Sequence, residues 1–84
     1  MEKMILIILQ KSRMATAVRV QEILTEYGCF IQARLGLHDG PPKTCSDSGL
    51  IIIEMAGDKA EIQKCKAKLV ALENVSVELV TLSV

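Results

Sequence analysis

The period of hydrophobic and polar positions changes repeatedly along the chain. Residues 3–9 (KMILIIL) form an unbroken apolar run closed by Gln10, Lys11 and Ser12, the pattern of a β-strand buried on both faces. From about Arg13 to Tyr27 the spacing becomes helical, with Ala17, Val20, Leu24 and Tyr27 on one side and Arg19, Gln21, Glu22 and Glu26 on the other. Ser12 stands where a helix cap is expected, and Gly28 where a left-handed residue would end the helix. Residues 29–38 then alternate. Cys29, Ile31, Ala33, Leu35 and Leu37 make the expected core-facing set, and Phe30, Gln32, Arg34, Gly36 and His38 the outward set.

Residues 39–49 (DGPPKTCSDSG) are turn chemistry, with Gly40 and the Pro41, Pro42 pair opposing regular structure. Residues 50–56 (LIIIEMA) read as a second strand apolar on both faces, broken by Gly57. Asp58 and Glu61 have the spacing of a capping box opening a second helix. Its buried stripe is Ile62, Cys65, Leu69 and Leu72, against Lys59, Lys64, Lys66 and Lys68 in water. Residues 75–84 read as the last strand. Its apolar phase shifts from Val75, Val77 and Leu79 to Val80, Leu82 and Val84, the mark of a bulge or of a strand passing between two environments.

Strand, helix, strand, strand, helix, strand defines one α+β domain over residues 1–84, a ferredoxin-like βαββαβ sandwich. The expected architecture is a four-stranded antiparallel sheet with both helices on one face. The first and third strands are expected at the centre, as a parallel pair, with the second and fourth at the edges. The two runs that are apolar on both faces are the central ones. Either Ile5, Ile7 and Leu9 or the alternate Met4, Leu6 and Ile8 must then face away from the helices, as must Ile51, Ile53 and Met55 or their alternates. Such a patch exceeds what monomers usually expose. The chain is therefore expected to be a homo-oligomer, a dimer or tetramer formed through the sheet face.

Composition sharpens this expectation. Half of the 84 residues are hydrophobic, yet Tyr27 and Phe30 are the only aromatics, so aliphatic side chains must build the core. Ten basic and ten acidic residues cancel to a formal charge of zero, which gives no field favouring direct nucleic-acid or membrane binding. The apolar run after Met1, Glu2 and Lys3 is too short for a signal sequence or a membrane span, and a cytoplasmic location is expected. Cys29, Cys45 and Cys65 form no CxxC pair, and their odd number argues against a disulfide framework. Cys29 and Cys65 both read as core residues.

The candidate chemistry clusters around the second strand and the loop after it. His38 is the only histidine, beside Asp39 and followed by Cys45 and Asp47. Imidazole and thiolate suit a transition metal such as zinc, nickel or copper, and two subunits could supply four ligands. The competing reading is a surface histidine and a loop thiol. Arg34, with Gln32, could hold a small anion between subunits, since guanidinium makes bidentate contacts with carboxylate or phosphate; a polar edge strand is the alternative. Thr44, Ser46, Ser48 and Gly49 resemble a nest of donors for an anion. The ligand-binding set expected from the sequence is thus Arg34, His38, Cys45, Ser46, Ser48 and Gly49, with His38 and Cys45 as metal ligands.

No serine has a partner that would make it a nucleophile, so no catalytic residue is assigned. Stacking aromatics for RNA are missing from the central strands. Gln10, Lys11, Ser12 and Arg13 replace the CxxC of a soft-metal chaperone and the glycine-rich loop of an acylphosphatase.

Residues 4–9, 34–38 (RLGLH), 45–50 (CSDSGL), 51–54 and 75–78 together resemble a family of small bacterial proteins, the iron-only hydrogenase system regulators and their relatives, with an ACT-like fold. That family is similar in turn to the C-terminal, tetramerising and ligand-binding domain of the nickel-responsive repressor. The resemblance implies a regulatory, non-enzymatic role, as a stand-alone ligand-sensing module or transcriptional regulator. The alternative is an adaptor or structural oligomer that binds a protein partner. Two departures matter. The repressor's nickel site takes several histidines and a cysteine, where this chain offers His38 and Cys45, and ACT sites usually carry a glycine at the first strand-to-helix turn. Without a ribbon-helix-helix segment, DNA binding would need another protein.

Overall fold

The computed structural model describes residues 1–11, 13–38 and 48–84, with side chains at all of these except 13–15 and 38. The elements are β1 (Glu2–Gln10), α1 (Arg13–Glu26), a 3-10 turn (Gly28–Phe30), β2 (Ile31–His38), β3 (Gly49–Met55), α2 (Lys59–Val70) and β4 (Val75–Ser83). They form the expected ferredoxin-like α+β sandwich, with one four-stranded sheet in the order β2-β3-β1-β4.

Every neighbouring pair in that sheet is antiparallel, β1 with β3 included. The expected parallel central pair is corrected. Each helical crossover joins strands separated by one other strand, so β1 and β2 share a direction, while the turn between β2 and β3 reverses the chain. β1 and β3 are nonetheless central, and β2 and β4 are the edges.

Strand parity places the core. Met4, Leu6 and Ile8 stand across from Met55, Ile53 and Ile51, and all six are buried on the helix side. Val20, Ile23 and Leu24 of α1, Tyr27 just after it, and Ile62, Cys65 and Leu69 of α2 complete it. These are the expected stripes with Ile23 added, except that Ala17 and Leu72 are only half-buried and Leu72 lies beyond the end of α2. Asp58 caps α2 by accepting from the Ala60 backbone N–H at 2.8 Å. Glu61 pairs with Lys64 at 3.0 Å. Ser12, the expected cap of α1, lies outside the described residues. Lys68 ties the helices together: its Nζ donates to Glu26 at 2.6 Å and lies 5.2 Å from the centre of the Tyr27 ring, and these contacts raise its pKa.

Three further expectations change. Gly28 does not end α1 in a left-handed conformation; the chain tightens into the 3-10 turn, and the left-handed glycine is Gly57, at φ 109°. A Cβ on Gly57 would also sit 3.0 Å from Phe30 Cδ1. Cys29, in the 3-10 turn rather than on β2, is exposed and not a core residue. The phase shift in β4 is not a bulge, because its register with β1 runs unbroken from Glu2↔Ser83 to Gln10↔Val75. Val77 faces the helices and is buried, while Val80 and Leu82 fall on the other face of the sheet.

Two outcomes follow from this packing. Leu6 is fully buried at the centre of the sheet, so Leu6→Ala should lower the unfolding free energy by about 2–5 kcal/mol in a denaturant titration. Burial, reinforced by Glu26, pushes the Cys65 thiol from 9.0 up to about 11. Because the folded state holds that proton more tightly, its contribution to stability is complete below pH 9.0 and is lost as the pH rises toward about 11. A thiol reagent at neutral pH should modify Cys29 rapidly and Cys65 only as the chain opens. Equal rates would mean that α2 does not pack as described.

Candidate functional site

The phase of β2 decides where the sequence-derived residues lie. A register shift between Ile31 and Ala33 inserts a bulge, and beyond it the parity of the strand is reversed relative to the simple alternation. Arg34 pairs with Ile53, Gly36 with Ile51 and His38 with Gly49, so positions 34, 36 and 38 fall on the helix side. Leu35 and Leu37, expected in the core, face the other way and are 54% and 44% exposed. Arg34 is exposed at this edge. Gly49 is buried at the start of β3, and Ser48 beside it is half-buried. Thr44, Cys45 and Ser46 lie outside the described residues, as does the rest of 39–47. The register therefore brings positions 34, 38 and 49 to one side of the sheet, with Ser48 adjoining.

One member of this region is not among the residues expected from the sequence. Gln10 closes the inward series Met4, Leu6, Ile8 and Gln10, and is only 5% exposed. Among the described residues its Oε1 has no hydrogen-bond partner. Gln10 pairs across β1 and β3 with Gly49, which pairs in turn with His38. Positions 10, 49 and 38 thus form a single row across the sheet, with glycine in the middle putting no side chain between the outer two. Their Cα atoms span two strand spacings, about 10 Å. α1 begins at Arg13, just past Gln10, and the first amides of a helix have no partner within it. The connection between them is fixed at Lys11, whose N–H donates to the Asn74 carbonyl at 2.8 Å and whose carbonyl accepts from Thr16 Oγ1 at 3.3 Å.

The signal that could have found Gln10 is its parity. It is a polar residue at an inward position of an otherwise apolar strand. A buried amide oxygen without a partner is unfavourable by about 1–3 kcal/mol, and such a group calls for an explanation, a bound water or ion being one.

Among the described residues, no three histidine, cysteine, aspartate or glutamate side chains gather in a metal-binding group. A metal at His38 would take its soft partner from Cys45, outside those residues. At the opposite end of the sheet a cavity of about 250 Å³ is lined by Glu2, Lys3, Gln32, Glu54 and Lys59 among others. Its charges are already matched, Lys3 to Glu54 and Lys59 to Glu2, both at 2.8 Å. It offers an incoming ion no uncompensated charge.

The sheet face away from the helices is a second surface. Leu35, Ile52 and Ile7 stand in one cross-strand row, and Leu37, Leu50 and Leu9 in the next. Ala33, Ile5 and Val80 extend this apolar field across the sheet, and Leu82 lies beyond them on β4. Among the described residues the Lys3–Glu54 pair and Glu78 are the charges on this face. Among the described residues no helix is long and apolar enough to cross a membrane.

No family model matches the chain, and no curated protein matches it. Solved structures do. An uncharacterised protein from Thermotoga maritima superposes with a TM-score of 0.82 at 23% identity, over 99% of this chain and all of that one. A CPII protein from Thiomonas intermedia K12, determined with ADP, AMP and acetate bound, matches with a TM-score of 0.59 at 14% identity, over 99% of this chain and 88% of that one. A formyltetrahydrofolate deformylase from Pseudomonas putida KT2440 matches with a TM-score of 0.58 at 19% identity, over 93% of this chain but 28% of that one. At these identities the likeness is one of fold, and it extends to full-length small proteins as well as to part of a larger enzyme.

Proposed function

We propose that this chain is a regulatory module that senses a small ligand or ion at the row formed by positions 10, 49 and 38, and that it works as a homo-oligomer assembled through its apolar sheet face. The observation that carries the ligand reading is the buried Oε1 of Gln10, which has no partner among the described residues and stands one glycine away in the row from the only histidine. Arg34 on the same side of the sheet adds a cation with no ion-pair partner among the described residues, and Ser48 and Gly49 add polar backbone. The fold shared with a nucleotide-bound CPII structure is compatible with such a role. The resemblance to iron-only hydrogenase system regulators points the same way, toward regulation rather than catalysis. Transition-metal ions and small anions are the ligand classes that imidazole, thiol and guanidinium groups would take.

The apolar sheet face supports the second half of the reading. Burying it recovers roughly 25 cal/mol per Å² before the losses of association are counted. It is also the observation that favours the other reading, an adaptor whose exposed face holds a protein partner and which takes no ligand.

Zinc, nickel, copper, phosphate and small carboxylates should be screened by thermal unfolding. At least one is expected to raise the melting temperature, and His38→Ala combined with Cys45→Ser should abolish that rise while leaving the oligomer intact. A screen with no rise leaves the adaptor reading in possession.

Gln10→Met replaces the amide, and with it the Oε1 that has no partner among the described residues, with an apolar side chain of similar length. It should stabilise the free protein by about 1 kcal/mol or more while reducing the response to the ligand. Destabilisation would show that the amide is satisfied within the fold. Sedimentation at micromolar concentration should find a dimer or larger assembly, and Ile52→Lys should dissociate it. A stable monomer would refute the assembly.

A further inference from the structure

The register that aligns positions 10, 49 and 38 aligns a second row behind them. Gly49 pairs with Gln10 and with His38; at the neighbouring position of each strand, Leu50 pairs with Leu9 and with Leu37. Successive residues of a strand point to opposite faces, so these leucines stand on the outer face of the sheet, directly behind the inner row. Leu9 and Leu37 are exposed and Leu50 is half-buried.

Charge places the contact between copies at this same end. Leu37, Leu50 and Leu9, with Leu35, Ile52 and Ile7 in the next row, make an uninterrupted aliphatic block. The Lys3–Glu54 ion pair lies toward the other end of β1 and β3, and Glu78 lies on the β4 edge, across from Ile7. Covering a charge without supplying it a partner is unfavourable. A second copy therefore gains most, and loses least, over the aliphatic block.

The three strand ends concerned have little to hold them in a single chain. Residues 32–37 of β2 are all exposed, and β2 joins the sheet through β3 alone. Gly49 closes both ladders, β1 with β3 and β2 with β3, so neither can open at this end without the residue that the other also needs. Segments with few buried apolar contacts open at low free energy.

We propose that ligand binding at the row and assembly through the sheet face are linked, each strengthening the other, because both require the same three strand ends to be held in register. The link rests on the reading of the chain as a ligand-sensing homo-oligomer, and it makes assembly the control on that site. A ligand reaching across positions 10, 49 and 38 fixes the ends of β1, β3 and β2 from the helix side. A second copy seated on Leu9, Leu50 and Leu37 fixes the same ends from behind. Whichever event comes first bears the entropy of ordering them, and the other follows without it, with no change of fold. Reciprocity makes the factor the same in both directions.

Zinc ion and inorganic phosphate serve as probes. Sedimentation over a concentration series gives the dissociation constant of the oligomer with and without each probe, and calorimetry gives probe affinity above and below that constant. A bound probe should tighten the oligomer about fivefold or more, and should itself bind the oligomer more tightly than the monomer by the same factor. Leu9→Ser combined with Leu37→Ser alters only exposed side chains on the outer face. It should weaken the oligomer and lower probe affinity to that of the monomer. Leu82→Ser, at the charged end of the face, should change neither. Hydrogen exchange adds a readout that needs no dissociation: the amides of residues 36–38 and 49–51 should exchange more slowly with probe bound, and faster in the Leu9→Ser, Leu37→Ser protein. Equal probe affinity for monomer and oligomer, with exchange unaltered, overturns the link and leaves the sensing and assembly reading standing. An oligomer weakened by Leu82→Ser but not by the paired leucine changes puts the contact at the wrong end and also overturns the link. A chain that binds neither probe, or stays monomeric throughout, overturns the link and the reading beneath it together.

Discussion

The constraint on which this structure depends is that β1 and β3 are apolar on both faces, while the two helices can cover only one. Parity divides each strand. Met4, Leu6 and Ile8 with Ile51, Ile53 and Met55 go under the helices and close the core. Ile5, Ile7, Leu9, Leu50 and Ile52 go to the other side, where no helix of the described residues covers them. A one-residue slip would exchange these sets without relieving the problem, since both are aliphatic. Register is held instead by what surrounds the pair: Gln10 and Gly49 at one end, the Lys3–Glu54 ion pair at the other. β4 shows the same division in sequence, giving its early apolar residues to the core and Val80 and Leu82 to the outer face.

Most of the architecture was legible because the period changes are sharp. An aliphatic run of six cannot be mistaken for the spacing of Val20, Leu24 and Tyr27, and Asp58 before a helical stripe announces its own cap. β2 was misread for a physical reason. Its alternation from Cys29 to His38 is perfect on paper, but the 3-10 turn takes up Cys29 and Phe30, and the bulge near Gln32 reverses everything after it. A bulge leaves little trace in a single sequence when the residues around it are neither glycine nor proline. The direction of the central pair was a different error, one of topology: counting reversals along the chain gives antiparallel.

The candidate site was legible in part, and for a related reason. His38 and Gly49 were found because histidine and a glycine-ended loop are conspicuous. Gln10 was not, because glutamine at the end of an apolar run reads as the start of a turn. Only the cross-strand register shows that it occupies the next inward position and shares a row with Gly49 and His38. The reversed parity of β2 works in the site's favour, since it moves positions 34 and 38 to the side where Gln10 lies. Simple alternation would have put them on the outer face, among Leu50, Ile52 and Ile7.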